Sequence, residues 1–221
     1  MLSWVGDCYM DNIKQYQVDF LNALLLGDRP KCSEIMQEFK KFDRSIIALC
    51  EEVFQKSLYE IGLMWEFNQI SVAVEHMSSS IVEGLMNELF AEIMSMERKN
   101  KQVIISCVAE EEHQVGGKMV ADIFEKNSWD AHYLGANTPV DELVSFCDLI
   151  KPDLVGLSLS VFTNVPFLLK EITALRQVTN VPIIIGGQAL KKLGVELSKK
   201  FTNVIYLPDL KTVEAYIEGC A

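Results

Sequence analysis

Gln102–Val108 (QVIISCV), followed by Ala109–Gly117 (AEEEHQVGG), decides how the second half of the chain is read. The first stretch is short, β-branched and apolar throughout, the pattern of a strand buried on both faces of a parallel sheet. The second is an acidic loop that ends in a glycine pair and leads into the apolar spacing of Met119–Glu125, a helix. The same alternation then repeats. Strands are expected at Ala131–Leu134, Leu154–Leu159, Val181–Ile185 and Val204–Leu207. Helices are expected at Val140–Leu149, Leu168–Gln177, Ala189–Lys199 and Val213–Ile217. Five strands alternating with helices imply right-handed crossovers and an open, Rossmann- or flavodoxin-like five-stranded parallel sheet. Such sheets bind ligands at the carboxyl ends of their strands.

Upstream of Glu97-Arg98-Lys99-Asn100-Lys101 the periodicity is helical instead. Phe20, Leu21, Leu24 and Leu25 share a face, and Gly27-Asp28-Arg29-Pro30 breaks that helix. A second helix follows over Pro30–Phe39. A third starts near Asp43 as N-cap and carries Ile46, Ile47, Cys50, Val53, Phe54, Leu58 and Ile61. After a turn at Asn68-Gln69, Ser71 caps a long helix through Val74, Met77, Ile81, Leu85, Leu89 and Ile93. Short connections between four helices read as a bundle. The expected class is therefore α/β, with a helical-bundle domain over residues 1–98 and a Rossmann-like domain over 99–221.

The chain of 221 residues carries a formal charge of −11, which argues against nucleic acid as a direct partner. Cys8, Cys32, Cys50, Cys107, Cys147 and Cys220 form no C-x-x-C and read as reduced thiols of a cytoplasmic protein. The start MLSWVGDCYMD lacks the pattern of a signal peptide, and no apolar run reaches the roughly 18 residues of a membrane span.

Three candidate site elements fall at strand ends. His113 lies on the loop after the first strand, with Glu111 placed to orient its ring and Gly116-Gly117 leaving room for a bulky group. Ser158-Leu159-Ser160 ends the third strand and Gly186-Gly187 the fourth. Glu111-x-His113-x-x-Gly116 resembles the D-x-H-x-x-G signature of cobalamin-binding domains. The 41 residues between Gly116 and Ser158 match that family's spacing to its S-x-L element, and 25 residues separate Ser160 from Gly186. Tyr133–Pro139, which includes Asn137, is similar to the family's loop after its second strand.

This resemblance implies base-off cobalamin, with His113 as the lower ligand of cobalt and the nucleotide tail in a slot near Ser158 and Gly186. It implies a Glu111–His113–Ser158 relay, in which Glu111 replaces the usual Asp; Ser160 replaces the usual Leu. Trp65 with Glu75-His76 resembles the helical cap of CarH-type light-sensing cobalamin receptors, where these positions contact the adenosyl group of adenosylcobalamin. The resemblance thus implies a light-sensing signalling protein rather than an enzyme, in which loss of the upper ligand changes assembly as a dimer or tetramer, or the binding of a signalling partner. Two departures stand out: a DNA-binding domain is missing, and Glu66 follows Trp65 where those receptors place a His. Of the other two His residues, His76 is the candidate upper ligand after illumination, with water the alternative, and His132 reads as structural. A corrinoid carrier of a methyltransferase system and a non-photochemical adaptor are the alternatives. No attachment signal for a bilin as second chromophore is visible.

Overall fold

The computed structural model describes residues 2–220, with side chains from Tyr9 onward; the Cys8 thiol lies outside the described residues. The chain falls into two compact units, Met1–Leu89 and Phe90–Ala221.

In the helical unit, α1 (Leu2–Leu26) buries Ile13, Phe20, Ala23 and Leu24 along one stripe. It stops at Gly27, whose φ of +69° suits a glycine. The side chain of Asp28 then accepts the Lys31 N–H and starts α2 (Arg29–Phe42), with a proline in its first turn. The next helix begins later than expected. Asp43 instead closes α2 and accepts the Ser45 N–H at 2.8 Å. Ser45 is the true N-cap, its hydroxyl accepting from Ala48 N–H at 3.1 Å. The residues between Asp43 and Ser45 form an Asx turn, which places the cap two residues later.

The helix from that cap is not uniform. α3 (Ile46–Ala48) passes into a π-helical segment, Leu49–Gln55, and then into α4 (Lys56–Glu66). The wider π turn seats Leu49, Cys50, Val53 and Phe54 in the core, where Phe54 stacks on Phe20 at 5.0 Å between ring centroids. Asn68 turns the chain at a φ of +56°, and α5 (Val72–Ile93) starts directly after Ser71.

In the second unit five strands form one parallel sheet: β1 (Gln102–Cys107), β2 (Asp130–Tyr133), β3 (Leu154–Ser158), β4 (Ile183–Gly186) and β5 (Val204–Tyr206). Their order is β2-β1-β3-β4-β5. α6 (Val115–Lys126) leads outward from β1 to β2, and α7 (Val140–Ile150) returns past β1 to β3. The connections leaving β1 and β3 therefore diverge, which opens a crevice between their carboxyl ends. Cys107 pairs with Ser158, and Ser158 with Gly186, so three strand ends stop level. α8 (Val165–Val178) and α9 (Gly194–Lys200) follow β3 and β4, and α10 (Leu210–Gly219) ends the fold. The helix expected over Ala189–Lys199 is split into a 3-10 turn, Gln188–Leu190, and α9. At the first residue of α9, Gly194 lies so close to the Tyr206 ring that a side-chain carbon there would overlap it.

Candidate functional site

The expected loop residues converge at the level strand ends. The Glu111 carboxylate is fully buried and held on both oxygens. Oε1 contacts His113 Nδ1 at 2.5 Å and accepts the His113 N–H at 3.0 Å. Oε2 accepts the N–H groups of Ser160 and Val161, each at 2.9 Å. Burial would push this carboxyl up. The bond from the His113 ring and those from the Val161, His113 and Ser160 amides outweigh it and hold the group below the usual carboxylate range.

An ionised acceptor on Nδ1 fixes the tautomer of His113, with the proton on Nδ1 and Nε2 as the ring's acceptor nitrogen. The imidazole is half-exposed while its carboxylate partner is buried. Among the described residues no three His, Cys, Asp or Glu side chains converge on one point.

The loop is braced from three sides. Asn137, at a φ of +51°, accepts the Glu110 N–H through Oδ1 and donates from Nδ2 to Glu112. Asn164 donates to the Glu110 carbonyl at 2.9 Å. Glu171 on α8 accepts the Ala109 N–H at 2.7 Å. Glu110 itself sits in the left-handed region, at a φ of +64°. The sequence reading missed Asn164 and Glu171. Asn164 had no signal of its own, but Glu171 did: it interrupts the apolar stripe Leu168, Ile172, Leu175 at a buried position.

The glycines line the same edge. A side-chain carbon at Gly116 would stand 3.8 Å from Ser158 Oγ, and one at Gly117 would stand 3.3 Å from both Cys107 Sγ and the Tyr133 ring. At Gly186 it would meet the Leu207 carbonyl oxygen at 3.0 Å. Ser158 is buried beside Gly116, and Glu111 reaches the β3 loop through the Ser160 and Val161 amides. Cys107 is buried, which pushes its thiol up to about 12 and makes it a poor nucleophile. His132 is tied into the sheet by Gln102 at 3.0 Å.

In the helical unit, Trp65 at the end of α4 is 46% exposed, and Leu63, Phe67 and Val72 around it are exposed too. Glu75 lies 3.6 Å from His76 Nε2 and accepts from Ser79 Oγ at 3.1 Å. No helix among the described residues is long and apolar enough to cross a membrane.

The HTH-type transcriptional repressor CarH of Myxococcus xanthus is 28% identical over 179 residues, covering 80% of this chain and 58% of that protein. The repressor CarA of the same organism is 27% identical over 168 residues, covering 72% of this chain and 56% of CarA. The chain thus spans less than two thirds of either relative. A solved monomethylamine corrinoid protein of Methanosarcina barkeri superposes with a TM-score of 0.76 at 14% identity, over 90% of this chain and 96% of that one, which shows the shared fold. Two families described as B12 binding domain match residues 17–90 and 101–208. Together they span most of the chain, which is thus similar to B12-binding-domain proteins over both of its units.

Proposed function

We propose that this protein is a light-sensing signalling module that holds adenosylcobalamin base-off, with His113 as the lower ligand of cobalt. The observation that carries the ligand assignment is the 2.5 Å contact between His113 Nδ1 and a buried carboxylate, itself anchored by backbone amides. The residues present fit the group. The ring is oriented by Glu111, and Gly116, Gly117 and Gly186 leave an edge without side chains beside Ser158. Asn137 and Ser160 shape the adjoining loops, and Gly187 carries the chain away from β4. The cofactor supplies a light-labile cobalt–carbon bond when bound. The protein's part is to set the lower ligand and to respond when the upper one leaves.

We assign the contacts to the adenosyl group to Trp65, Glu75 and His76, supported by the exposure of Trp65 and by the resemblance of this stretch to CarH-type receptors. Residues 1–98 serve as the helical domain and 99–221 as the cofactor domain. The described cysteines, none of them in a disulfide, suit a reducing cytoplasm. Signal output runs through self-association or a protein partner.

His113→Ala is expected to weaken cobalamin binding by more than tenfold, about 1.4 kcal/mol or more, and to remove the spectrum of nitrogen-ligated cobalt. Unchanged titrations and spectra in the variant refute the lower-ligand assignment. Trp65→Ala is expected to weaken adenosylcobalamin several-fold more than methylcobalamin, since only the former offers a large surface for stacking. Equal losses count against the adenosyl contacts. Light sensing itself is checked by absorbance and by sizing of the loaded protein before and after green light. A changed spectrum with a changed mass supports it, and a mass identical in apo, dark and lit samples removes self-association as the output.

A further inference from the structure

Glu171 braces the start of the loop at Ala109 from inside the apolar core. It lies on the core face of α8 and is completely buried. Its Oε1 accepts the Ala109 N–H at 2.7 Å, and its Oε2 is the one fully buried side-chain N or O atom among the described residues without a hydrogen-bond partner. Leu168, Ile172 and Leu175 of the same helix belong to the apolar core shared with Val108 and Leu159. The Cys107 thiol is the titratable group placed to feel its charge. A carboxylate with one bare oxygen in such a place is strongly disfavoured, and a carboxylic acid, which buries an unpaired hydroxyl but no charge, far less so.

We propose that Glu171 is a proton-operated positioning residue for the loop that carries His113: protonated on Oε2 it pins Ala109 at the end of β1 through Oε1, and on losing that proton to water it draws toward solvent and loosens the loop. The chain's geometry gives the lever. Ala109 is the first loop residue after Val108, whose own N–H is fixed to the Ser158 carbonyl, so release at Ala109 removes one of the braces on the segment leading to Glu110, Glu111 and His113 and loosens its start. Burial pushes the Glu171 carboxyl up to about 7, against the pull of the Ala109 N–H, so the switch works near neutral pH. The raised value means that the folded state holds this proton after the unfolded chain has released it. Stability is thus full below the ordinary carboxylate range and falls as pH rises to about 7, then levels off.

The claim about His113 rests on the cobalt-ligand reading, but the latch is testable without cofactor. In the apo protein, wild type is expected to lose about 5 °C or more of melting temperature relative to Glu171→Gln between pH 5 and pH 8, because Gln mimics the protonated acid at every pH. The Ala109 amide is expected to exchange at least tenfold faster in wild type than in Glu171→Gln at pH 8, and at similar rates at pH 5. A melting difference that is constant with pH, or equal Ala109 exchange at pH 8, overturns the proposal, and neither readout needs the less conservative Glu171→Leu to fold. In the loaded protein the nitrogen-ligated spectrum of wild type is expected to fade through pH 7 beyond any change in Glu171→Gln, and matching profiles refute the coupling to His113. Failure of both proteins to bind cobalamin would refute the ligand reading while the apo results decided the latch.

Discussion

Glu111→Leu is expected to destabilise the α/β unit by about 3–5 kcal/mol. The carboxylate accepts three backbone N–H groups, those of His113, Ser160 and Val161, besides the His113 ring. Leucine occupies the space but accepts nothing, and each buried donor left unpaired costs about 1–3 kcal/mol, less where water reaches the loop. Glu111→Gln keeps one oxygen and is expected to lose less than half as much. Denaturant titration checks both; a loss below 1 kcal/mol for the leucine variant would mean that the carboxylate is not a structural keystone of the loop. The same bonds predict a pH effect opposite in sign to that of Glu171. A carboxyl held below its ordinary value contributes stability that is present above the usual carboxylate range and lost as pH falls through its lowered native value. Without the acceptor, the His113 ring also loses its fixed tautomer, so cobalamin affinity is expected to drop a further 10–100-fold.

Gly187→Ala is expected to cost about 3 kcal/mol or more, although it adds a single methyl group. The residue holds a φ of +111°, outside the range that L side chains adopt readily. A carbon there would also lie 2.8 Å from the Leu159 carbonyl carbon and 2.9 Å from its nitrogen, with the carbonyl oxygen closer still. All three are backbone atoms of the segment that leaves β3, so no rotamer change relieves the clash. Leu159 N–H is bonded to the Gly186 carbonyl at 3.0 Å, and pushing these segments apart breaks that bond beside the proposed slot. Gly62→Ala is the control, with nothing within 4 Å of the added carbon, and is expected to be neutral or mildly stabilising within its helix. Thermal melts of the pair decide the matter: equal midpoints would show that the turn after β4 gives way freely.

The division between what the sequence determined and what the tertiary structure decided follows the range of the forces involved. Apolar runs of the QVIISCV kind report burial on both faces, and their alternation with helical periods leaves few topologies open, so the parallel sheet was legible without coordinates. The level ends of β1, β3 and β4 follow from that sheet, and they placed Glu111, His113, Ser158 and Gly186 on one edge. Local chemistry misled at a cap and inside two helices: Asp43 and Ser45 compete for the same cap, the spacing of Ile46 through Ile61 does not distinguish an α turn from the π segment within it, and the Ala189–Lys199 stretch is split. Other features could not be read from any window of sequence. The amides of Ser160 and Val161 reach Glu111 across 49 and 50 residues, and Glu171 reaches Ala109 across 62. Backbone amides carry no residue signature, so their choice of acceptor is set by packing alone. Glu171 was visible as an acid in an apolar stripe, but whether it finds water, a partner or neither is decided by the walls that the sheet and α8 build around it.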